Sequence, residues 1–173
     1  MLFKIAGSLV VLFSCTFLGY ILSADCRRRP QQLRDLQAML QMFENQITYL
    51  SDVIAEAFER IGRVCRSETG IFFTGTVELL RKNRNISASQ AWEQAVRQNI
   101  KRTALNTEDE EILGVFGKML GCTDLEGQVR NIRLALEQIR QQELKAEASR
   151  IKNEKMYRSL GILGGIAVVI VLL

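Results

Sequence analysis

Apolar residues recur every three or four positions through most of the chain, the spacing of amphipathic helices that bury one face. The longest such stripe follows Pro30, which suits the first turn of a helix. Ser51 and Asp52 can cap a new helix, so the stripe belongs either to one long helix or to two helices with a bend near Leu50. Its members are Leu33, Leu36, Leu40, Phe43, Ile47, Leu50, Ile54, Phe58 and Ile61.

Shorter helices are predicted over residues 70–83 and after two pairs of residues with the spacing of a capping box. Ser87 with Gln90 begins one of these helices, and Thr107 with Glu110 begins the next. Three glycines of the latter segment stand at intervals typical of close helix packing. They are Gly114, Gly117 and Gly121.

The last helical pattern begins at Asp124 and meets no helix breaker before Gly161, which predicts one continuous helix. At a rise of ~1.5 Å per residue, its thirty-odd residues would extend on the order of 50 Å. Buried apolar contacts between the long helices are expected at Leu36, Phe43, Ile112, Phe116, Ile132 and Leu136.

The N-terminal segment is uncharged from Ile5 to Ala24, about 20 residues, which is enough to cross the hydrocarbon core of a bilayer. Lys4 would also suit a signal peptide, but Leu22 stands where a cleavage site needs a small residue. Asp25 before Cys26 disfavours a lipoprotein site as well. We therefore predict a retained anchor over residues 1–24.

The C-terminal segment from Ser159 to Leu173 is also uncharged, over roughly 15 residues. That is short of the usual ~20, although snorkelling of Arg158 would extend the apolar part to about 17 residues. We predict a second transmembrane segment over residues 157–173. The remaining residues, 25–156, are predicted to form an all-α bundle of about six helices.

Positive charge flanks the inner ends of both predicted spans. The positive-inside rule therefore places both termini outside and the bundle in the cytoplasm. The flanking residues are Arg27, Arg28, Arg29, Lys155 and Arg158. Such a cluster also suits anionic lipid headgroups.

Composition limits the function classes. The chain has 173 residues and a net charge of +4, with no aromatic-basic stripe, so one domain without nucleic-acid binding is predicted. Histidine is absent, and the four cysteines are isolated in sequence, so no metal site is expected. No phosphate-binding glycine loop occurs either. We expect a non-enzymatic protein without a cofactor.

Charged positions outside the apolar stripes are the candidates for partner binding, because electrostatic complementarity guides partner choice. Their pattern predicts exposure near two helix starts. The set comprises Arg34, Asp35, Glu44, Glu108, Asp109 and Glu111. The acidic run at residues 108–111 could suggest a metal site, but acid on the positive end of a helix dipole is the simpler interpretation.

Four segments in order give the chain a resemblance to a known family. They read RRRPQQLRDLQAMLQMFENQITYL, ISASQAWEQAV, TALNTEDEEILGVFGKMLG and EKMYRSLGILGGIAVVIVLL. Together they resemble the stage III sporulation protein AB family of endospore-forming bacteria over essentially the whole chain. One departure is that Leu50, Ser51 and Asp52 stand where the family pattern leads us to expect a threonine-proline turn. The bend between the first two helices is therefore left open.

The resemblance implies more than the periodicity does. Members are similar to the cytoplasmic helical domain of the F-type inner-membrane platform protein of type II secretion systems. They belong to the channel complex between mother cell and forespore. The implied role is a subunit of the mother-cell membrane that docks a cytoplasmic secretion-type ATPase and other membrane subunits, with self-association into a homo-oligomer also open.

Two other classes of function are weighed against this platform role. A small enzyme or transporter is disfavoured by the missing histidines, motifs and intramembrane charges. A membrane-anchored tether for lipid or nucleoid would use the arginines at 27–29 and the basic helix faces. Recovery of partner proteins from sporulating cells would separate the platform from the tether.

Overall fold

The computed structural model describes residues 27–50, 54–65, 67–83 and 85–172, and within them every regular element is helical. Six α-helices occur in this part of the chain, together with a π-helical turn and a 3₁₀ turn. The α-helices are α1 (Arg28–Asn45), α2 (Ile54–Val64), α3 (Gly70–Lys82), α4 (Ala88–Asn99), α5 (Thr107–Lys118) and α6 (Leu125–Leu172). The predicted all-α class and the number of helices are confirmed.

The described residues divide into two compact units. Residues 31–144 form the larger unit, which contains α2 to α5 with most of α1 and the first part of α6. Residues 27–30 and 145–172 form the smaller one. Inside the smaller unit Arg27 Nη2 lies 2.6 Å from Glu154 Oε1, and Ala146 is buried.

The long apolar stripe is shared by two helices. Leu33, Leu36 and Phe43 of α1 are fully buried, and Phe58 and Ile61 of α2 continue the buried face. Between them the chain makes a π-helical turn at Gln46–Leu50. Of the two readings that the sequence left open, division into two helices is therefore correct. Ser51 and Asp52, the predicted cap, lie outside the described residues.

Capping explains where two helices begin. The capping box predicted from Ser87 and Gln90 is present. Ser87 Oγ accepts from the Gln90 backbone N–H at 3.2 Å, and Gln90 Oε1 accepts from the Ser87 backbone N–H at 3.1 Å. The second predicted box is wrong by one residue. Asn106, in extended conformation, is the N-cap of α5, and Asp109 replaces Glu110 as its partner.

The core is an aromatic cluster around Trp92 of α4. Its ring lies 5.1 to 5.5 Å, centroid to centroid, from the rings of Phe58, Phe73 and Phe116, mostly edge to face. The indole Nε1 donates to the carbonyl of Leu113 at 2.8 Å, so the buried N–H is satisfied. The cluster therefore joins α2, α3, α4 and α5.

Predicted core positions are confirmed in four of the six cases. Leu36, Phe43, Phe116 and Ile132 are buried. Ile112 and Leu136 are only partly buried, so the prediction is wrong for these two. Each stands at the edge of its helix stripe, and the neighbouring Leu113 and Ala135 face the core in its place.

Three buried amide side chains of α6 hold α5 in place. Asn131 Nδ2 donates to the Phe116 carbonyl at 3.0 Å, and Gln128 Nε2 donates to the Met119 carbonyl at 2.8 Å. These carbonyls lie at the C-terminal end of α5, where each also accepts a longer backbone bond of 3.3 Å, from the Met119 N–H and the Cys122 N–H respectively. Near the other end of α5, Gln142 Nε2 donates to Glu108 Oε2 at 2.8 Å.

No helix within the described residues combines the length and the hydropathy that a membrane crossing needs. The predicted N-terminal anchor, residues 1–24, lies outside those residues. The predicted C-terminal segment falls, up to residue 172, in the continuous helix α6, and the finding gives it no support as a span. Its roughly 15 uncharged residues would form ~22 Å of helix, against a hydrocarbon core of about 30 Å.

The glycines of α5 give a test of the core with its own control. A Cβ built at Gly117 would lie 2.2 Å from Trp92 Cδ1, whereas one at Gly114 meets nothing within 4 Å. We expect Gly117→Ala to lower the free energy of unfolding by about 1–3 kcal/mol, because the indole must move. Gly114→Ala should raise it by up to about 1 kcal/mol, since alanine favours a helix. Urea unfolding of the purified chain measures both, and equal effects would contradict the close packing at Gly117.

Candidate functional site

Two of the three predicted charged residues of α1 bond to α6. Arg34 Nε donates to Glu143 Oε1 at 2.8 Å, and Glu44 accepts from Arg133 Nε at 2.6 Å. Asp35 is partly buried and lies close enough to Cys65 to act on that thiol's pKa. Arg34 and Glu44 therefore join α1 to α6, whereas Asp35 accepts a hydrogen bond from Gln31 of its own helix at 3.0 Å.

Asp109 is a correction to the predicted set, because its side chain is buried and not exposed. Its Oδ2 accepts from the Asn106 backbone N–H at 2.9 Å, and Asn106 Oδ1 accepts from the Asp109 N–H at 3.0 Å. This reciprocal pair satisfies two backbone donors at the start of α5. Asp109 thus has a structural role in capping. The sequence pattern did not predict this role, because it placed the capping box one residue later, at Thr107 and Glu110.

Glu108 and Glu111 are exposed and lie together in a surface groove between α5 and α6, which we call the Glu111 groove. Its volume is about 390 Å³. The α5 wall adds the apolar side chains of Ile112 and Val115, and Val115 is 50% exposed. The α6 wall consists of three glutamines, Gln138, Gln141 and Gln142.

The Glu111 groove combines acidic charge, an apolar strip and amide groups that can donate or accept. Gln142 of the α6 wall is buried and donates a hydrogen bond to Glu108 of the α5 wall, so the two walls are held together at this point. The composition of the groove is complementary to that of an amphipathic helix with apolar and basic positions.

Sequence reasoning identified Glu108 and Glu111 but missed the rest of the groove. Val115 follows Glu111 by one helical turn and therefore lies on the same face of α5. This spacing could have indicated that an apolar side chain stands beside the acidic residues. The glutamines of α6 carried no such signal. They become part of the site only because α6 packs beside α5.

A separate ionic cluster joins α2 and α3. Glu59 accepts hydrogen bonds from Arg63 and, at 2.6 Å, from Arg81 Nη2. The hydrogen bond from Arg63, with a smaller contribution from that of Arg81, holds the pKa of the Glu59 carboxyl below its ordinary value. All three side chains lie at the surface, where such pairs contribute little to stability.

The predicted basic flank falls mostly in the smaller unit. Arg27 pairs with Glu154, as described above, and Arg28 and Arg29 also have bonding partners. Lys155 is exposed on α6. The side chain of Arg158 lies outside the described residues, so the cluster as a whole stays a prediction.

The cysteines offer no site of their own. Burial, reinforced by the charge of Asp35, raises the pKa of the Cys65 thiol, so its reactive thiolate is disfavoured. Cys122 is exposed, and Cys15 and Cys26 lie outside the described residues. Within the described part of the chain no three potential metal ligands from histidine, cysteine, aspartate and glutamate come together.

Comparison with known proteins gives consistent results in sequence and in structure. The family model described as Stage III sporulation protein AB matches residues 4–173. Stage III sporulation protein AB of Bacillus subtilis (strain 168) is 31% identical over 170 residues, which cover 98% of this chain and 99% of that protein. A solved structure of Stage III sporulation protein AB matches with a TM-score of 0.67 at 30% identity, and it covers 72% of this chain and 98% of its own.

The chain therefore belongs to the stage III sporulation protein AB family, as its sequence segments indicated.

The two acidic residues of α5 that differ in burial give a test of their separate roles. Asp109→Ala should lower the free energy of unfolding by about 0.5–2 kcal/mol, because it removes a cap from the start of α5. Glu111→Ala should change it by no more than ~0.5 kcal/mol, as is usual for an exposed side chain. Thermal and urea unfolding of both variants measure the difference. A Glu111 effect as large as that of Asp109 would show that the groove residue also supports the fold.

Proposed function

We propose that this member of the stage III sporulation protein AB family is a non-enzymatic assembly subunit of the sporulation channel complex between mother cell and forespore. In this role it docks a cytoplasmic secretion-type ATPase and other membrane subunits of the complex. Membership of the family supports the sporulation role. The likeness of such proteins to the F-type platform domain of type II secretion, implied by the sequence segments, supports the platform role.

The Glu111 groove is the single observation on which the docking proposal depends. It lies along two packed helices, and its apolar strip of Ile112 and Val115 is open to a partner. Helix-in-groove recognition places apolar side chains of the incoming helix on such a strip. Leu113 and Phe116 of the same helix are buried, whereas Ile112 is only partly buried and Val115 is 50% exposed.

Charge specifies the partner segment in this proposal. Glu108 and Glu111 give the groove an acidic rim, and the glutamines of α6 add hydrogen-bonding groups without charge. A complementary helix would carry lysine or arginine along one edge of an apolar face. Opposite charges across such a contact raise the association rate and exclude acidic competitors.

Position at the membrane completes the proposal. We assign the attachment to the uncharged residues 5–24, with residues 157–173 as a second hydrophobic attachment, and the bundle to the cytoplasm of the mother cell. The alternative function is a membrane-anchored lipid or nucleoid tether, favoured by the basic residues at 27–29. That alternative predicts retained function after the Glu111 groove is altered.

Charge reversal of the groove tests docking. Glu108→Lys with Glu111→Lys should lower recovery of the ATPase with the tagged chain by roughly tenfold, because like charges would then meet across the contact. Spore counts should fall in parallel. The control variant, Glu56→Lys with Glu78→Lys, changes the same net charge at two exposed positions of α2 and α3. Equal loss in both variants, or normal recovery in the first, would remove the groove from the docking surface.

Cysteine labelling in intact sporulating cells tests the position at the membrane. In a chain whose four native cysteines are replaced, a cysteine at Ser89 should resist a membrane-impermeant maleimide, because the positive-inside rule keeps α4 in the cytoplasm. A cysteine added after Leu173 should react if the tail crosses the bilayer. Protection at both positions would limit attachment to the N-terminal segment, and labelling at Ser89 would contradict the orientation.

A further inference from the structure

A second groove lies between the π-helical turn and the beginning of α6, on another side of α6 from the Glu111 groove. We call it the Leu125 groove, and its volume is about 440 Å³. Its lining residues are Thr48, Leu125, Glu126, Val129, Arg130 and Arg133. Leu125 is 49% exposed and stands one helical turn before a second, partly buried apolar side chain, Val129.

The charges of the Leu125 groove balance one another. Arg133 is neutralised by Glu44, whose Oε1 accepts from Arg133 Nε at 2.6 Å. Glu126 and Arg130 stand one helical turn apart, and neither makes an ion pair within the described part of the chain. Among the described residues the groove therefore presents one acid and one base without ion pairs, one helical turn apart along the same edge of an apolar floor.

This balance decides which partner fits. A strongly basic segment would be repelled by Arg130, and a strongly acidic segment would be repelled by Glu126, because like charges would meet. A second copy related by a two-fold axis avoids both repulsions. In such a contact Glu126 of each copy can meet Arg130 of the other, because the two-fold axis makes every contact occur twice. By contrast, the lining of the Glu111 groove includes two glutamates and no basic residue.

We propose that the Leu125 groove is a self-association surface through which two copies of this chain pair the beginnings of their α6 helices antiparallel. Glu126 of each copy lies against Arg130 of the other, and the two-fold axis crosses the groove between these two residues. Val129 is then close to its counterpart, and the two Leu125 side chains cover the apolar floor from both ends. This contact is independent of the ATPase docking proposed above.

The size of the surface sets how the contact can be observed. Six lining residues per copy are far fewer than the ~20–30 of a stable interface, so the contact belongs to the weak, transient class. Chemical crosslinking captures such a contact. The full-length chain, with its four native cysteines replaced, is the material for the test.

A cysteine at Val129 should crosslink to its counterpart through a short bismaleimide and give a covalent dimer. The control is a cysteine at Gln138, on the same helix but in the Glu111 groove, which should stay monomeric. Crosslinking at Gln138 and not at Val129 would overturn the proposal. Mixed crosslinks between a Val129→Cys copy and a Gln138→Cys copy would also overturn it, because they require a head-to-tail contact.

Charge swapping separates self-association from binding of another protein. Glu126→Arg alone and Arg130→Glu alone should each lower the crosslinked fraction of the Val129→Cys chain by roughly tenfold, since each brings like charges together. The double variant, Glu126→Arg with Arg130→Glu, should restore it, because the exchanged pair is again complementary to itself. Failure of the double variant to restore crosslinking would overturn the two-fold contact, and circular dichroism checks that every variant is folded.

Discussion

The contact between the Trp92 ring and the backbone of α5 at Gly117 sets the distance between α4 and α5. A Cβ at Gly117 would lie 2.2 Å from Trp92 Cδ1, so the indole occupies the space that any other residue would need. The same ring donates its Nε1 proton to the Leu113 carbonyl at 2.8 Å. Because phenylalanines of α2, α3 and α5 pack around this indole, the position of one side chain determines how four helices meet.

Both grooves depend on that arrangement through α5 and α6. Once α5 is held against α4, the amides of Gln128 and Asn131 satisfy carbonyls at its C-terminal end. Gln142 bonds Glu108 near its beginning. These hydrogen bonds fix the outer faces of the two helices, so that the acidic edge of α5 and the glutamines of α6 form a single surface. Surface charge can then serve recognition, because the fold itself depends on apolar packing and buried amides.

The two grooves differ in the kind of partner that their charges admit. The lining of the Glu111 groove has two glutamates and no basic residue, and we propose a basic helix as its partner. The Leu125 groove has both acidic and basic residues, and we propose a second copy of the chain there. The two proposed contacts need surfaces that do not compete. Opposite placement around α6, with different net charge, provides that separation through elementary electrostatics.

The sequence by itself determined the helical class, the buried face of α1 and the cap at Ser87, because each of these depends on residues within one or two turns of one another. It also placed Glu108 and Glu111 at an exposed helix start. Only the tertiary structure decided that Leu113 and not Ile112 faces the core, and that Asp109 is a buried cap. Consecutive residues of a helix are about 100° apart around its axis, so two neighbours at the edge of an apolar stripe are similar candidates for burial. The position of the adjacent helix decides which of the two is buried. The grooves required the same information, since Glu111 and Gln138 are distant in sequence and become neighbours only when α5 packs against α6.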